Sequence, residues 1–225
     1  MTGDQTADIT WKPGGVPVSA RFDDPYFSLE NGLAETRHTF LDGNDLPARL
    51  RGGFHVAELG FGTGLNMLAL ASVWDGPGPV HFTSFEAYPM AADDIENALA
   101  AFPDLRHLAR PYLAAWRQGA RHFQVANLSV TIIEGDARQA LTCWPHKADA
   151  WFLDGFSPAK NPELWGADLM ENIARHTSPG GTFATYTAAG HVRRALSDAG
   201  FVVTRRPGFG RKRHMSVGRL QRPGP

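Results

Sequence analysis

The 225-residue sequence predicts an α/β fold built on a mostly parallel, doubly wound sheet. Three observations carry this expectation. From residue 54 onward, short β-prone runs alternate with helix-compatible segments, a rhythm that implies right-handed crossovers between parallel strands. A glycine-rich turn, Gly60-Phe61-Gly62-Thr63-Gly64, follows directly on the first of those runs. The run Trp151-Phe152-Leu153 is apolar without alternation, as suits a strand buried on both faces, and it ends in Asp154.

The elements follow in order. Residues 1–50 are polar and turn-rich, with Lys12-Pro13-Gly14-Gly15, Asp23-Asp24-Pro25 and Asp42-Gly43-Asn44-Asp45 between short apolar stretches, and they predict a hairpin-like N-terminal extension. Strands are predicted at Phe54–Leu59, Val80–Phe85, Val130–Ile133, Ala148–Leu153, Thr182–Thr187, Phe201–Thr204 and His214–Leu220. Helices are predicted at Leu65–Val73, Met90–Ala101, Pro111–Gln118, Ala137–Trp144, Pro162–His176 and Gly190–Ala199. The link from Arg205 to Arg213 is too short for a crossover helix, so the C-terminal strand returns antiparallel. A sheet closed in this way resembles the architecture of Rossmann-like S-adenosylmethionine-dependent methyltransferases. Residues 51–225 would form that Rossmann-like domain, with residues 1–50 packed on it as an extension, one domain overall.

Composition sets bounds on function. With 43% hydrophobic and 20% charged residues the chain can build a sizeable core. The single cysteine, Cys143, cannot form an internal disulfide, and no Cys/His cluster has zinc-ligand spacing. A reducing, cytoplasmic setting is expected and no metal is; Cys143 itself reads as a small core residue. The start of the chain carries Asp4 and Asp8 without an apolar leader, and no run is long enough to span a bilayer, so no membrane association is expected. A net charge of −1 excludes a global nucleic-acid signature. Locally, however, residues 201–225 hold Arg205, Arg206, Arg211, Lys212, Arg213, Arg219 and Arg222 and no acid, which suits phosphates and equally suits a solvated basic tail.

His55 through Asn66 reads as strand, glycine turn and helix start. The glycines permit positive φ and close backbone approach, and the free N–H groups at the helix start can hold an anion. Dinucleotides and adenosylmethionine both use such a turn, and two details favour the latter. Leu65 stands where the dinucleotide fingerprint needs a small residue. Glu58, two residues before Gly60, would repel a pyrophosphate but attract an amino group and a sulfonium. The expected cofactor-binding set is Glu58, Gly60, Gly62, Thr63, Gly64 and Asn66, joined by Glu86, whose carboxylate lies 22 residues beyond Gly64, where ribose hydroxyls are bound. Asp136 and Ala137 complete it; Asp136 suits the adenine amino group and equally suits capping the helix that begins near Ala137. A nicotinamide oxidoreductase is the alternative these details disfavour.

Asp154 opens the loop Gly155-Phe156-Ser157-Pro158-Ala159-Lys160-Asn161-Pro162. Loops at the carboxyl ends of strands are where open α/β sheets bind ligands, so Asp154 is a candidate catalytic acid, base or orienting acceptor, with a plain turn former as the alternative. Methyl transfer from a sulfonium is an in-line displacement governed by positioning. An amine must be neutral to attack, and a neighbouring carboxylate accepts its hydrogen bond and its proton. Asp154 suits that role as well as contact with the cofactor, and Phe156 suits stacking on a planar base. The nine histidines are scattered and read as structural or surface residues.

At these residues the chain resembles the methyltransferase domain of the bifunctional tRNA-modifying MnmC family and its single-domain relatives. The resemblance covers almost the whole sequence. It is carried by Pro17-Val18-Ser19, Phe22-Asp23-Asp24-Pro25-Tyr26-Phe27-Ser28, Asn31-Gly32-Leu33-Ala34-Glu35-Thr36-Arg37 and Phe40-Leu41-Asp42-Gly43-Asn44, then by residues 58–66, residues 154–162 with Trp165, residues 182–194 and residues 210–215. It implies methylation of the primary amine of 5-aminomethyl(-2-thio)uridine at the tRNA wobble position, giving the 5-methylaminomethyl product, with Asp154 as the catalytic aspartate. It also implies that Asp23, Tyr26, Phe27, Asn31, Gly32 and Glu35 fold over the pocket. A flipped-out base would stack on aromatics such as Tyr26, Phe27, Phe156 and Tyr186, and Lys160, Arg193, Arg194, Arg211, Lys212 and Arg213 would hold the anticodon backbone. The implied partners are the tRNA anticodon stem-loop and the enzymes that supply the aminomethyl substrate. Bifunctional members continue into a flavin-dependent oxidoreductase domain; with Pro225 as the last residue, FAD is not expected. The alternatives are an amine methyltransferase acting on a small molecule or protein, and a non-catalytic tRNA-binding protein with a structural adenosylmethionine.

Overall fold

A computed structural model describes residues 6–28 and 31–221. Asp4 and Arg222 of the expectations above lie outside the described residues. The N-terminal extension begins with a small antiparallel sheet of β1 (Ile9–Lys12), β2 (Val16–Ser19) and β3 (Asp24–Pro25). The predicted hairpin turns at Pro13-Gly14-Gly15, where both glycines hold positive φ of 86° and 74°. After it the extension holds a helix that the polar, turn-rich composition concealed, α1 (Gly32–Thr36), continued by a π-helical turn and a 3-10 turn. Asn31 starts α1 by accepting from the Ala34 N–H at 3.0 Å.

The main sheet has eight strands: β4 (His55–Leu59), β5 (Val80–Glu86), β6 (His122–Val125), β7 (Leu128–Glu134), β8 (Ala148–Leu153), β9 (Thr177–Thr185), β10 (Phe201–Pro207) and β11 (His214–Leu220). Their order is β10-β11-β9-β8-β4-β5-β7-β6. Among the described residues only β11 and β6 run against the other strands of this sheet. The closing antiparallel strand is therefore as expected, inserted between β9 and β10. β6 was not expected: it forms a tight hairpin with β7 through Ala126, which holds φ at 48°, and Ala-Asn carries no glycine to announce such a turn.

The helices are α2 (Leu65–Ala71), α3 (Ala92–Leu99), α4 (Arg106–Arg117), α5 (Ala137–Ala140), α6 (Ala167–Arg175) and α7 (Gly190–Asp198). α4 begins five residues before the expected Pro111, which sits inside it. The stripe Leu108, Ala109, Tyr112, Leu113 and Trp116 is buried, and its burial outweighs the backbone bond the proline removes. Cys143 is a correction: it is exposed on a 3-10 turn after α5, whose Leu141 takes the core position instead.

Each face of the sheet carries its own core. Val56, Phe82, Val130 and Phe152 point to one layer, beneath α2 and α4, which Phe27, Phe40, Leu41 and Leu50 of the extension join. Ala57, Phe85, Trp151, Leu153 and Phe183 point to the other, beneath α6 and α7. The apolar run before Asp154 is thus buried on both sides. No helix among the described residues is long and apolar enough to cross a membrane.

From β4 the chain moves to β5 and β7 on one side and then returns to β8 on the other. The carboxyl ends of β4 and β8 therefore flank a topological switch point, the place where such sheets bind ligands.

Candidate active site

The glycine turn after β4 and the Asp154 loop after β8 meet at that switch point. Gly60 holds φ at 79°, and a Cβ there would stand 3.2 Å from Gly155 Cα, so a side chain at this position would crowd the facing loop. A Cβ on Gly62 would stand 3.1 Å from the Tyr26 ring. A cleft of about 2480 Å³ opens here, lined by the glycine turn, the ends of β5 and β7, the Asp154 loop, α1 and the β10–β11 connection.

Four side chains fix Asp154 from behind. Asn66, in the first turn of α2, donates from Nδ2 to Asp154 Oδ2 at 2.7 Å and to Glu58 Oε1 at 2.8 Å. Its own Oδ1 accepts from Thr36 Oγ1 at 2.9 Å, so every hydrogen-bonding arm of the amide is used and its orientation is determined. Ser84 on β5 donates to Glu58 Oε2 at 2.7 Å, and the Gly155 N–H donates to Asp154 Oδ1 at 2.8 Å. Burial pushes the Asp154 carboxyl up to about 6, against the opposing pull of these hydrogen bonds and of the Lys212 charge. Asp154 nonetheless opens onto the cleft. A carboxylate so placed is an aimed acceptor that titrates close to neutrality.

Glu58 corrects the expectation that it faces the ligand. It is fully buried, does not line the cleft, and burial raises its pKa well above the usual carboxylate range. Its length lets it turn back beneath Asn66 and Ser84. Gly64 also lies off the cleft; with φ at 77° it starts α2, and a Cβ would press on the Phe61 and Tyr112 rings. Gly60, Gly62, Thr63 and Asn66 do line the cleft. So does Glu86, at the end of β5, which accepts from the Gly62 and Tyr88 N–H groups at 2.9 and 2.7 Å. Asp136 and Ala137 line it too, and Asp136 does cap α5: it accepts from the Arg138 N–H at 2.9 Å, while the Arg138 side chain holds its carboxyl below the usual range. Among the described residues no cluster of three His, Cys, Asp or Glu side chains is placed to hold a metal ion.

The extension closes over the Asp154 loop. Phe22 stacks on Phe156 with centroids 4.7 Å apart, and Tyr26 meets the same ring edge-on at 5.1 Å. One face of Phe156 is thus already covered. Asp24 accepts from the Ser157 N–H at 2.8 Å, and Lys160 donates to Asp23 Oδ2 at 2.9 Å and to the Asp23 carbonyl. Lys160 is therefore a tether between the two segments. Phe27 is 9% exposed and packs on Phe102, closer to core than to a stacking platform. The Tyr186 hydroxyl donates to the Gly155 carbonyl at 2.8 Å.

The predicted basic set divides. Arg211 and Lys212 line the cleft, but Lys212 is bound to Glu35 at 2.6 Å. Arg193, Arg194 and Arg213 do not line it. Arg193 donates to the Ala188 carbonyl at 3.2 Å and shares a shallow depression on β10 with Arg205, Arg206 and Arg213, while Arg194 is exposed on α7. Residue spacing could not separate Arg211 and Lys212 from Arg213, because the β10–β11 connection sends them to different depressions. Sequence reasoning missed Thr36, Ser84 and Phe22 as parts of the site. Thr36 and Phe22 lay inside quoted blocks but were given no role, and Ser84 stands two residues before Glu86, on the same face of its strand.

The donor set fits adenosylmethionine: a glycine turn that admits close approach, a strand-end carboxylate at Glu86 for ribose, and a free helix start at α2. Residues 102–221, more than half of the chain, match the model of a family described as S-adenosyl-L-methionine-dependent methyltransferase. The chain is 44% identical over 229 residues to the tRNA 5-methylaminomethyl-2-thiouridine biosynthesis bifunctional protein MnmC of Caulobacter sp. (strain K31), covering 95% of this chain and 38% of that protein. It is 43% identical over 224 residues to the MnmC protein of Leptospira borgpetersenii serovar Hardjo-bovis (strain JB197), covering 94% of this chain and 34% of that one. The chain thus spans little more than a third of these curated relatives. Among solved structures it superposes on MnmC2 of Aquifex aeolicus with a TM-score of 0.71 at 26% identity, covering 99% of this chain and 73% of that one.

Proposed function

The chain belongs to the S-adenosyl-L-methionine-dependent methyltransferase family, and we propose that it methylates the primary amine of 5-aminomethyl(-2-thio)uridine at the wobble position of tRNA. The observation that carries this reading is Asp154: a buried carboxylate, held on one oxygen by Asn66 and on the other by a backbone N–H, opening onto the cleft beside the glycine turn. The similarity to MnmC proteins supports the identity of the acceptor.

Bound S-adenosylmethionine would supply an electrophilic methyl group with a thioether as its leaving group; the acceptor nitrogen would take that methyl with its lone pair and give up one proton. Gly60, Gly62, Thr63 and the start of α2 would hold the cofactor, Glu86 would accept from its ribose hydroxyls, and Asp136 and Ala137 would border its adenine. Asp154 accepts a hydrogen bond from the amine, aims its lone pair and takes its proton directly or through water. The Phe22-Phe156-Tyr26 cluster and Tyr186 exclude water and provide aromatic surface for the base. Arg211 and the arginines of the β10 depression approach the RNA backbone. Residues 1–50 act with residues 51–225 as one catalytic unit. The aminomethyl group comes from a preceding enzymatic step, and a tRNA substrate fits a cytoplasmic setting.

Mass spectrometry of wobble nucleosides from tRNA bearing 5-aminomethyluridine, incubated with the protein and S-adenosylmethionine, tests the reading. A gain of one methyl is expected with wild type and little with Asp154→Ala. No gain with wild type sinks it, and transfer to free amines without tRNA would favour a small-molecule acceptor.

A further inference from the structure

Lys212 enters the cleft from the β10–β11 connection, and its ammonium meets two groups. Glu35 Oε1 accepts from Nζ at 2.6 Å, and the centroid of the Tyr186 ring lies 4.2 Å from Nζ. A carboxylate and an aromatic face are the two features that recognise a primary alkylammonium. Both are preorganised. Glu35 is 9% exposed on α1, while the Tyr186 ring is held by its hydroxyl bond to the Gly155 carbonyl at 2.8 Å and by an edge contact with Trp165 at 6.2 Å. Lys212, by contrast, leaves 46% of its side chain in solvent. The carboxylate and the ring are the built part; the lysine is the replaceable part.

Location links this ammonium to the acceptor. Thr36, the neighbour of Glu35, holds Asn66, and Asn66 holds Asp154. Gly155, which follows Asp154, takes the Tyr186 hydroxyl. Glu35, Asp154, Tyr186 and Lys212 line the same cleft. A nearly buried carboxylate is costly without a cation, so whatever displaces Lys212 from Glu35 has to bring a positive charge of its own.

We propose that Glu35 and the face of Tyr186 form an ammonium site beside Asp154, filled by Lys212 in the free protein and by the primary amine of the acceptor in the complex. This rests on the amine-acceptor reading above. The acceptor enters charged and displaces Lys212 toward solvent; its nitrogen then passes a proton to Asp154 or water before attack. Glu35 is thus a specificity-determining residue that selects a charged 5-substituent over a neutral one.

The test compares two anticodon stem-loops, one with 5-aminomethyluridine and one with 5-methyluridine at the wobble position, bound to the full chain. Their affinity ratio cancels the phosphate contacts that both share. Wild type is expected to prefer the amine, and Glu35→Gln to lose about tenfold of that preference, as removal of a charge-assisted contact implies, while S-adenosylmethionine binding shows that the variant is folded. Lys212→Met is expected to raise the ratio severalfold because the internal competitor is gone, with S-adenosylmethionine binding again showing that the variant is folded. A wild type without preference, an unchanged ratio in Glu35→Gln, or a lower ratio in Lys212→Met overturns the ammonium site while methyl transfer by wild type leaves the amine reading standing. No transfer by wild type overturns both.

Discussion

Asn66 Nδ2 donates to Asp154 Oδ2 at 2.7 Å and to Glu58 Oε1 at 2.8 Å, so a single amide joins the strand-end carboxylates of β4 and β8. Two carboxyl groups this close could not both ionise freely, and burial favours the proton on Glu58, whose surroundings are wholly protein. Asp154 is left as the group that titrates near neutrality.

Asn66→Ala removes a hydrogen bond that holds the Asp154 carboxyl down. The acid limb of log kcat against pH is expected to move upward from about 6. The same change leaves Glu58 short of a donor and lowers stability by about 1–3 kcal/mol. A pH profile that superposes on wild type would remove Asn66 from control of Asp154.

Asp154→Asn separates function from stability. Its folded pKa of about 6 lies above the unfolded value of 3.8, so the stability it contributes is present at low pH and lost as pH rises through that window. The variant is therefore expected to be more stable than wild type at pH 8 by at most about 3 kcal/mol, with the gap closing toward pH 4. Methyl transfer at pH 8 should fall by about 10²–10⁴-fold. Urea unfolding at several pH values and single-turnover assays measure the two arms.

Gly60→Ala places a Cβ 3.2 Å from Gly155 Cα at a φ of 79°. The strain is expected to lower stability by about 1–2 kcal/mol. Separating the two loops should also weaken S-adenosylmethionine about tenfold or more in calorimetric titration, whereas Gly119→Ala, with φ of 76° and open space around it, should affect stability alone.

His55, at the far end of β4, is pushed down to about 4 by burial and by the neighbouring His81 and His146. The unfolded chain takes up its proton near 6.5, so this stability is present above 6.5 and lost as pH falls toward 4. Wild type should lose up to about 3 kcal/mol over that range from this residue. His55→Gln, which can keep the bond to Thr83 Oγ1, should show a flatter acid limb in urea titrations.

Period and punctuation revealed what local chemistry dictates: the positive-φ glycine turns, the doubly buried run 151–153, the antiparallel close, and Asp154 at a strand end. Strand-end charge put Glu58 in the cofactor set and the family resemblance put Lys160 and Lys212 among phosphate ligands; in the structure all three are engaged by protein groups. Their partners, Asn66, Asp23 and Glu35, lie in other elements, and a side chain long enough to reach water is also long enough to turn inward. β6 and the first half of α4 were hidden for a related reason: Ala126 and Pro111 are local signals overruled by burial of Val125 and of the α4 stripe.

The sequence by itself determined the alternation of strands and helices from residue 54 onward and put the Gly60 turn and Asp154 each at the end of a strand, because hydrophobic period and glycine φ are properties of short segments; the sheet order that makes them meet came from the fold. Only the tertiary structure decided which carboxylate stays buried and which faces the cleft. It also decided that Glu35 holds Lys212 at 2.6 Å, since a carboxylate's protonation and pairing depend on groups brought to it from far along the chain.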